Sequence, residues 1–66
     1  MYLEFRDTEG KYIKQWPNWI GVVPQKDDIV LLHYGDYNER EEQYLVKARI
    51  IDGTKHDKVV LIINNL

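Results

Sequence analysis

The sequence predicts an all-β domain, a small five-stranded barrel or a strongly curled antiparallel sheet. Three observations carry this. Short stretches alternate apolar and polar residues at a period of two, as in Tyr2–Arg6, Lys11–Trp16 and Gln43–Ile51. Turn-forming clusters separate them: Asp7-Thr8-Glu9-Gly10, Pro24 to Asp28, and Asp52-Gly53. No stretch shows helical periodicity. At 66 residues the chain allows one domain, 1–66, whose core is marginal without reinforcement. Cysteine is absent, so neither disulfides nor thiolate metal sites supply that reinforcement. Good packing or association with another chain is left.

The first hairpin is the most legible element. Asp7 at the first turn position and Gly10 at the fourth suit a type I turn followed by a left-handed glycine. That turn sets Asp7 opposite Lys11. Phe5 then faces Ile13 and Leu3 faces Gln15, while Glu4 meets Lys14, Arg6 meets Tyr12 and Tyr2 meets Trp16 on the other side. Trp16-Pro17-Asn18 ends the second strand, because Pro17 cannot donate to a ladder. Val22-Val23-Pro24 is read as a short extended piece. Gln25 to Asp28 then turns the chain into Ile29–Tyr34, whose apolar run Ile29–Leu32 predicts a central strand covered on both faces.

Gly35–Glu42 is the most polar stretch, a long hairpin loop or a loop with one helical turn. The remaining strands are Gln43–Ile51 and Lys58–Asn64, the latter apolar on both faces through Val59 to Ile63. The expected strands are thus 2–7, 11–16, 28–34, 43–51 and 58–64. Closing such a sheet removes edges that invite aggregation.

Pro24, Asp28 and Val30, with Asp27 where a glycine usually stands, resemble the Pro-x-x-Gly-Asp-x-Val opening of a strand in small SH3-like barrels. The later strands YLVKARI and KVVLII fit the same layout, so the resemblance covers residues 24–64. The whole also looks like short uncharacterised barrel proteins of bacterial and phage genomes. What the resemblance implies is a fold, since SH3-like barrels serve peptide binding, RNA binding and assembly alike.

Nine Lys and Arg stand against eleven Asp and Glu, a formal net charge of −2 divided evenly between the two halves. A phosphate-binding surface needs clustered cations, so nucleic acid is an unfavoured partner. The opening MYLEFRDTEG has no basic segment followed by an apolar run and reads as the start of the fold, not a signal peptide. The longest apolar run, Val59–Ile63, is far short of a membrane span, and a cytoplasmic location is expected.

Catalytic chemistry finds little support. The chain has no Ser or Cys, Thr8 and Thr54 sit in turns, and no glycine-rich phosphate loop is present. Asp27 and Asp28 are neighbours whose side chains point apart; Asp28 is expected to accept turn N–H groups. His33 and His56-Asp57, with Asp52, match no metal-ligand spacing. The expectation is a non-enzyme with no metal and no cofactor.

The aromatic residues carry the functional reading. Trp16, Trp19, Tyr2 and Tyr12, with Arg6, are the candidate patch on the outer face of the first hairpin, and Tyr34, Tyr37 and Tyr44 would extend it. Exposed aromatics beside arginine are common in protein interfaces. The competing role is structural: one tryptophan plugs an open barrel end while the other stays partly exposed. The leading expectation is a protein-interaction or assembly module whose partner is another protein or a second copy. The alternative is a nucleic-acid-binding barrel that stacks bases on Trp16 and Trp19, with Lys11, Lys14 and Arg6 as thin electrostatic support.

Overall fold

The computed structural model describes residues 1–54 and 57–66. Five strands form one strongly curled mixed sheet, a half-barrel. They are β1 (Tyr2–Arg6), β2 (Tyr12–Trp16), β3 (Ile29–Tyr34), β4 (Arg40–Asp52) and β5 (Lys58–Asn65), in spatial order β2-β1-β5-β4-β3. The described residues contain no helix long and apolar enough to cross a membrane.

The concave face holds the core: Leu3, Phe5, Leu32, Tyr44, Val46, Val59, Leu61 and Ile63 are buried. β5 contributes every second residue to it, which is why its apolar run is the longest in the chain. Its other face, with Val60 and Ile62, is half-buried beside Glu4, Arg6, Ala48 and Ile50. The central strand is therefore β5.

Ile29–Tyr34 is not central; it is an edge strand. Ile29 is 59% and Leu31 48% exposed, and Leu32 is its one buried residue. An apolar run looks the same in sequence whether its second face meets a covering layer or an open seam. One junction also departs from an all-antiparallel sheet, since β1 runs parallel to β5, Leu3 beside Val59 and Phe5 beside Leu61. The amino-terminal hairpin adds to the carboxy-terminal strand, and β5 has the two-sided apolar pattern that parallel neighbours favour.

The first turn forms as its residues predict. The Asp7 N–H donates to the Lys11 carbonyl at 2.9 Å, and Gly10 adopts φ +85°. Arg6 lies opposite Tyr12. Beyond that pair a bulge absorbs Ile13, so Phe5 faces Lys14, Glu4 faces Gln15 and Leu3 faces Trp16. The expected pairs Phe5–Ile13, Leu3–Gln15, Glu4–Lys14 and Tyr2–Trp16 do not form. Since a one-residue slip exchanges the faces of a strand, Lys14 and Trp16 point to the concave side. A second bulge, between Val46 and Ala48, bends β4. Two bulges and the native twist supply the curl.

The connections differ from expectation in two places. β4 begins at Arg40, so Arg40 to Glu42 pair with β3 and residues 35–39 alone form the turn, with neither a long loop nor a helical turn. Val22 to Pro24 form no strand; Val23 packs on the core and Pro24 is buried. The turn before β3 is held by Asp28, whose Oδ2 accepts the Gln25 N–H at 2.8 Å. Asp27, standing where glycine is usual, takes φ +76°.

Candidate functional site

The curl brings the two edge strands, β2 and β3, towards each other without pairing them. Between them lies an apolar cavity of about 180 Å³. It is lined by Phe5, Val30 and Leu32, by Trp16 and Trp19, and by Leu31, His33 and Asn38. Cavities of ~150 Å³ hold a benzene ring, so this one suits a single leucine- or phenylalanine-sized side chain.

Trp16 and Trp19 meet edge to face, with ring centroids 6.0 Å apart and planes at 90°. Such pairs contribute roughly 1 kcal/mol beyond their buried area. Trp19 is the more anchored: its backbone N–H donates to the Met1 carbonyl at 2.8 Å and its Nε1–H to the Val22 carbonyl at 3.2 Å. Trp16 is 44% exposed and forms the lip. One tryptophan packs against the core while the other meets solvent.

Lys14 spans the seam. Its Nζ donates to the His33 carbonyl at 2.8 Å, and lies 5.6 Å from the Trp16 ring and 5.3 Å from the Tyr34 ring. The Arg40 guanidinium lies 5.7 Å from the same Tyr34 ring. Beneath them the Tyr34 and Tyr44 hydroxyls are 2.9 Å apart. Burial first, then that hydrogen bond, push the Tyr34 hydroxyl well above the ordinary phenol range, so it stays protonated.

Tyr2, Tyr12 and Arg6 sit apart from this site, on the convex face. Glu4, 5% exposed, is paired there with Arg6 and lies 3.7 Å from the Lys58 ammonium. The Tyr2 hydroxyl donates to Gln15 Oε1, and Lys58 lies 5.6 Å from the Tyr2 ring. Tyr2 and Arg6 are thus tied into a network around a buried carboxylate, while Tyr12 is exposed beside them. Tyr44 is buried and Tyr37 projects from the β3–β4 turn. The sequence does not single out Leu31 or Asn38, and it weighs Lys14 and His33 for other roles, as a cation beside stacked bases and as a metal ligand. Only the bulge and the sheet order place them together.

His33 lies 3.9 Å from Glu41. Among the described residues no group of three or more His, Cys, Asp or Glu is placed to hold a metal ion. The His56-Asp57 reading falls partly on His56, which lies outside the described residues. No protein-family model, curated protein or solved structure matches this chain.

Proposed function

We propose that this chain is a non-enzymatic protein-interaction module that docks its partner at the seam between β2 and β3. One observation carries the reading: a tryptophan pair stands at the mouth of an apolar cavity bounded by two unpaired strand edges. Tryptophan is the residue most enriched where interface energy concentrates, and a pocket for one side chain gives such an anchor its counterpart. A second copy is admitted as partner, because the convex face leaves Ile50 exposed beside Val60 and Ile62. An SH3-like kinship and a cytoplasmic setting belong to the same proposal, resting on the Pro24–Val30 opening and on a short, charge-balanced sequence. Base stacking is disfavoured: Lys14 and Arg40 are the cations grouped at Tyr34, and Glu41 and Glu42 adjoin them in β4.

The test is a photoreactive residue at Asn38, which lines the cavity, with a control at Tyr12 on the convex face. In cells making the chain, discrete protein adducts are expected from the Asn38 probe and should disappear with Trp16→Ala. Adducts confined to the Tyr12 probe, or adducts to nucleic acid, would refute the reading.

A further inference from the structure

The seam is one strand wide. No Cα of β2 comes within 8 Å of a Cα of β3. Yet Lys14 crosses the gap to the His33 carbonyl at 2.8 Å. A lysine stem reaches roughly 6 Å from its Cα, so the Lys14 Cα lies within about 9 Å of that oxygen. Adjacent strands sit about 4.8 Å apart, and one inserted strand needs roughly 9.6 Å between its two neighbours. A carbonyl oxygen lies about 2.4 Å from its own Cα, so the two Cα atoms are between 8 Å and about 11.4 Å apart, which brackets that spacing.

The edges are suited to such a guest. The His33 carbonyl points into the seam, so alternation turns the N–H and C=O groups of Ile29 and Leu31 the same way. The twelve residues between β2 and β3 carry the chain around without covering these groups with a strand. Charge adds a preference. Lys14 and Arg40 converge on the Tyr34 ring, and among the described residues neither has a carboxylate within 4.0 Å. An acidic group entering here would meet two cations that no carboxylate holds in an ion pair, with Glu42 as the acidic neighbour acting on the Tyr34 hydroxyl.

Building on the docking role above, we infer that the occupant is an extended segment of another protein, inserted as a sixth strand between β2 and β3. It seats one apolar side chain in the cavity. A carboxylate two residues along, on the same face, lies against Lys14 and Arg40. This is strand addition at an edge, with main-chain hydrogen bonds giving affinity and the pocket giving selectivity. In the free chain Lys14 acts as a guard, since an inward-pointing charge on an edge discourages indiscriminate pairing.

A displayed library of short random segments, selected on the full chain, tests this directly. Enriched segments should alternate, with Asp or Glu two residues from a large apolar residue. Binding should slow amide exchange at Ile29 and Leu31. Lys14→Glu should weaken binding roughly tenfold, and so should Arg40→Gln, whose thermal unfolding reports that the fold is kept. Lys11→Glu should leave binding unchanged.

Failure to enrich any segment would overturn the inference. So would segments without a carboxylate, or protection confined to the convex face. Protection of Ile29 and Leu31 by self-association alone would replace the partner with a second copy. If the Asn38 probe still captures protein while selected segments leave these amides unprotected, strand insertion fails and the docking site survives.

Discussion

Replacing Lys14 with methionine keeps a long unbranched side chain in the seam and removes only its ammonium. Three interactions go with the charge: the 2.8 Å bond to the His33 carbonyl and the approaches to the Trp16 and Tyr34 rings. The bond is a charge-assisted one at a partly wet site, so it is assigned about 1 kcal/mol after solvent screening. Each ring contact adds about 0.5 kcal/mol. Methionine recovers part of this through sulfur–aromatic contact, leaving a net loss of about 1 kcal/mol. A chain of 66 residues has roughly 3–10 kcal/mol of total stability. Lys14→Met should therefore fold, with a urea midpoint lower by about 0.5–1 M. It should also associate at concentrations where the parent chain does not, because the edge loses its guard. Chemical denaturation with sedimentation analysis reads both effects, and Lys11→Met on the exposed turn is the control. If Lys14→Met unfolds at the parent midpoint and sediments like the parent, Lys14 does not brace the seam in solution.

Three further outcomes follow from the same geometry. Leu61 is fully buried at the middle of the central strand, so Leu61→Ala should cost about 3–5 kcal/mol. Most of the chain would then be unfolded near 37 °C by circular dichroism; a loss below about 1 kcal/mol would show that Leu61 is not at the core's centre. Asp27→Gly should stabilise by about 0.5–1 kcal/mol, since φ +76° strains a residue with a Cβ, an effect offset by glycine's freedom in the unfolded chain. An unchanged or lowered melting temperature would contradict this. The Tyr34 contribution to stability should be level up to about pH 10 and fall above it. There the unfolded chain loses the Tyr34 proton while the folded chain retains it. The slope approaches about 1.4 kcal/mol per pH unit, and Tyr34→Phe should flatten it.

The strands were legible in sequence because their evidence is local. Alternation and turn chemistry fixed Tyr2–Arg6 and Tyr12–Trp16 to within a residue, and Asp7 with Gly10 predicted a turn that forms with the expected backbone. What escaped is non-local or leaves no mark. The β1–β5 pairing joins the two ends of the chain, and no pattern inside either strand names its neighbour. Ile29–Leu32 reads as central because its side chains line a seam that resembles a buried face. The bulge at Ile13 carries no glycine to announce it. The candidate patch suffered most from this. Its two tryptophans come together, while Tyr2, Tyr12 and Arg6 fall on the opposite face of the hairpin.

That bulge is the point at which one residue decides the site. With regular pairing Lys14 and Trp16 would lie on the convex face, beside Glu4 and Tyr2, and the seam would lose its lip and its bridging cation. Glu4 would gain a third cation around a carboxylate that already faces Arg6 and Lys58. Three cations around one carboxylate gain little over two, so the convex network does not favour the regular register. The concave side favours the bulged register, since Trp16 there meets Trp19 and the cavity. Deleting Gln15 should leave the bulge in place and set Trp16 opposite Glu4, which moves it to the convex face. In a Trp19→Phe background, Trp16 emission should then shift to the red and become fully open to acrylamide. Backbone resonances of β4 and β5 should stay in place. Unchanged Trp16 emission in a folded deletion variant would mean that Trp19 and the cavity, not the strand register, determine where Trp16 points.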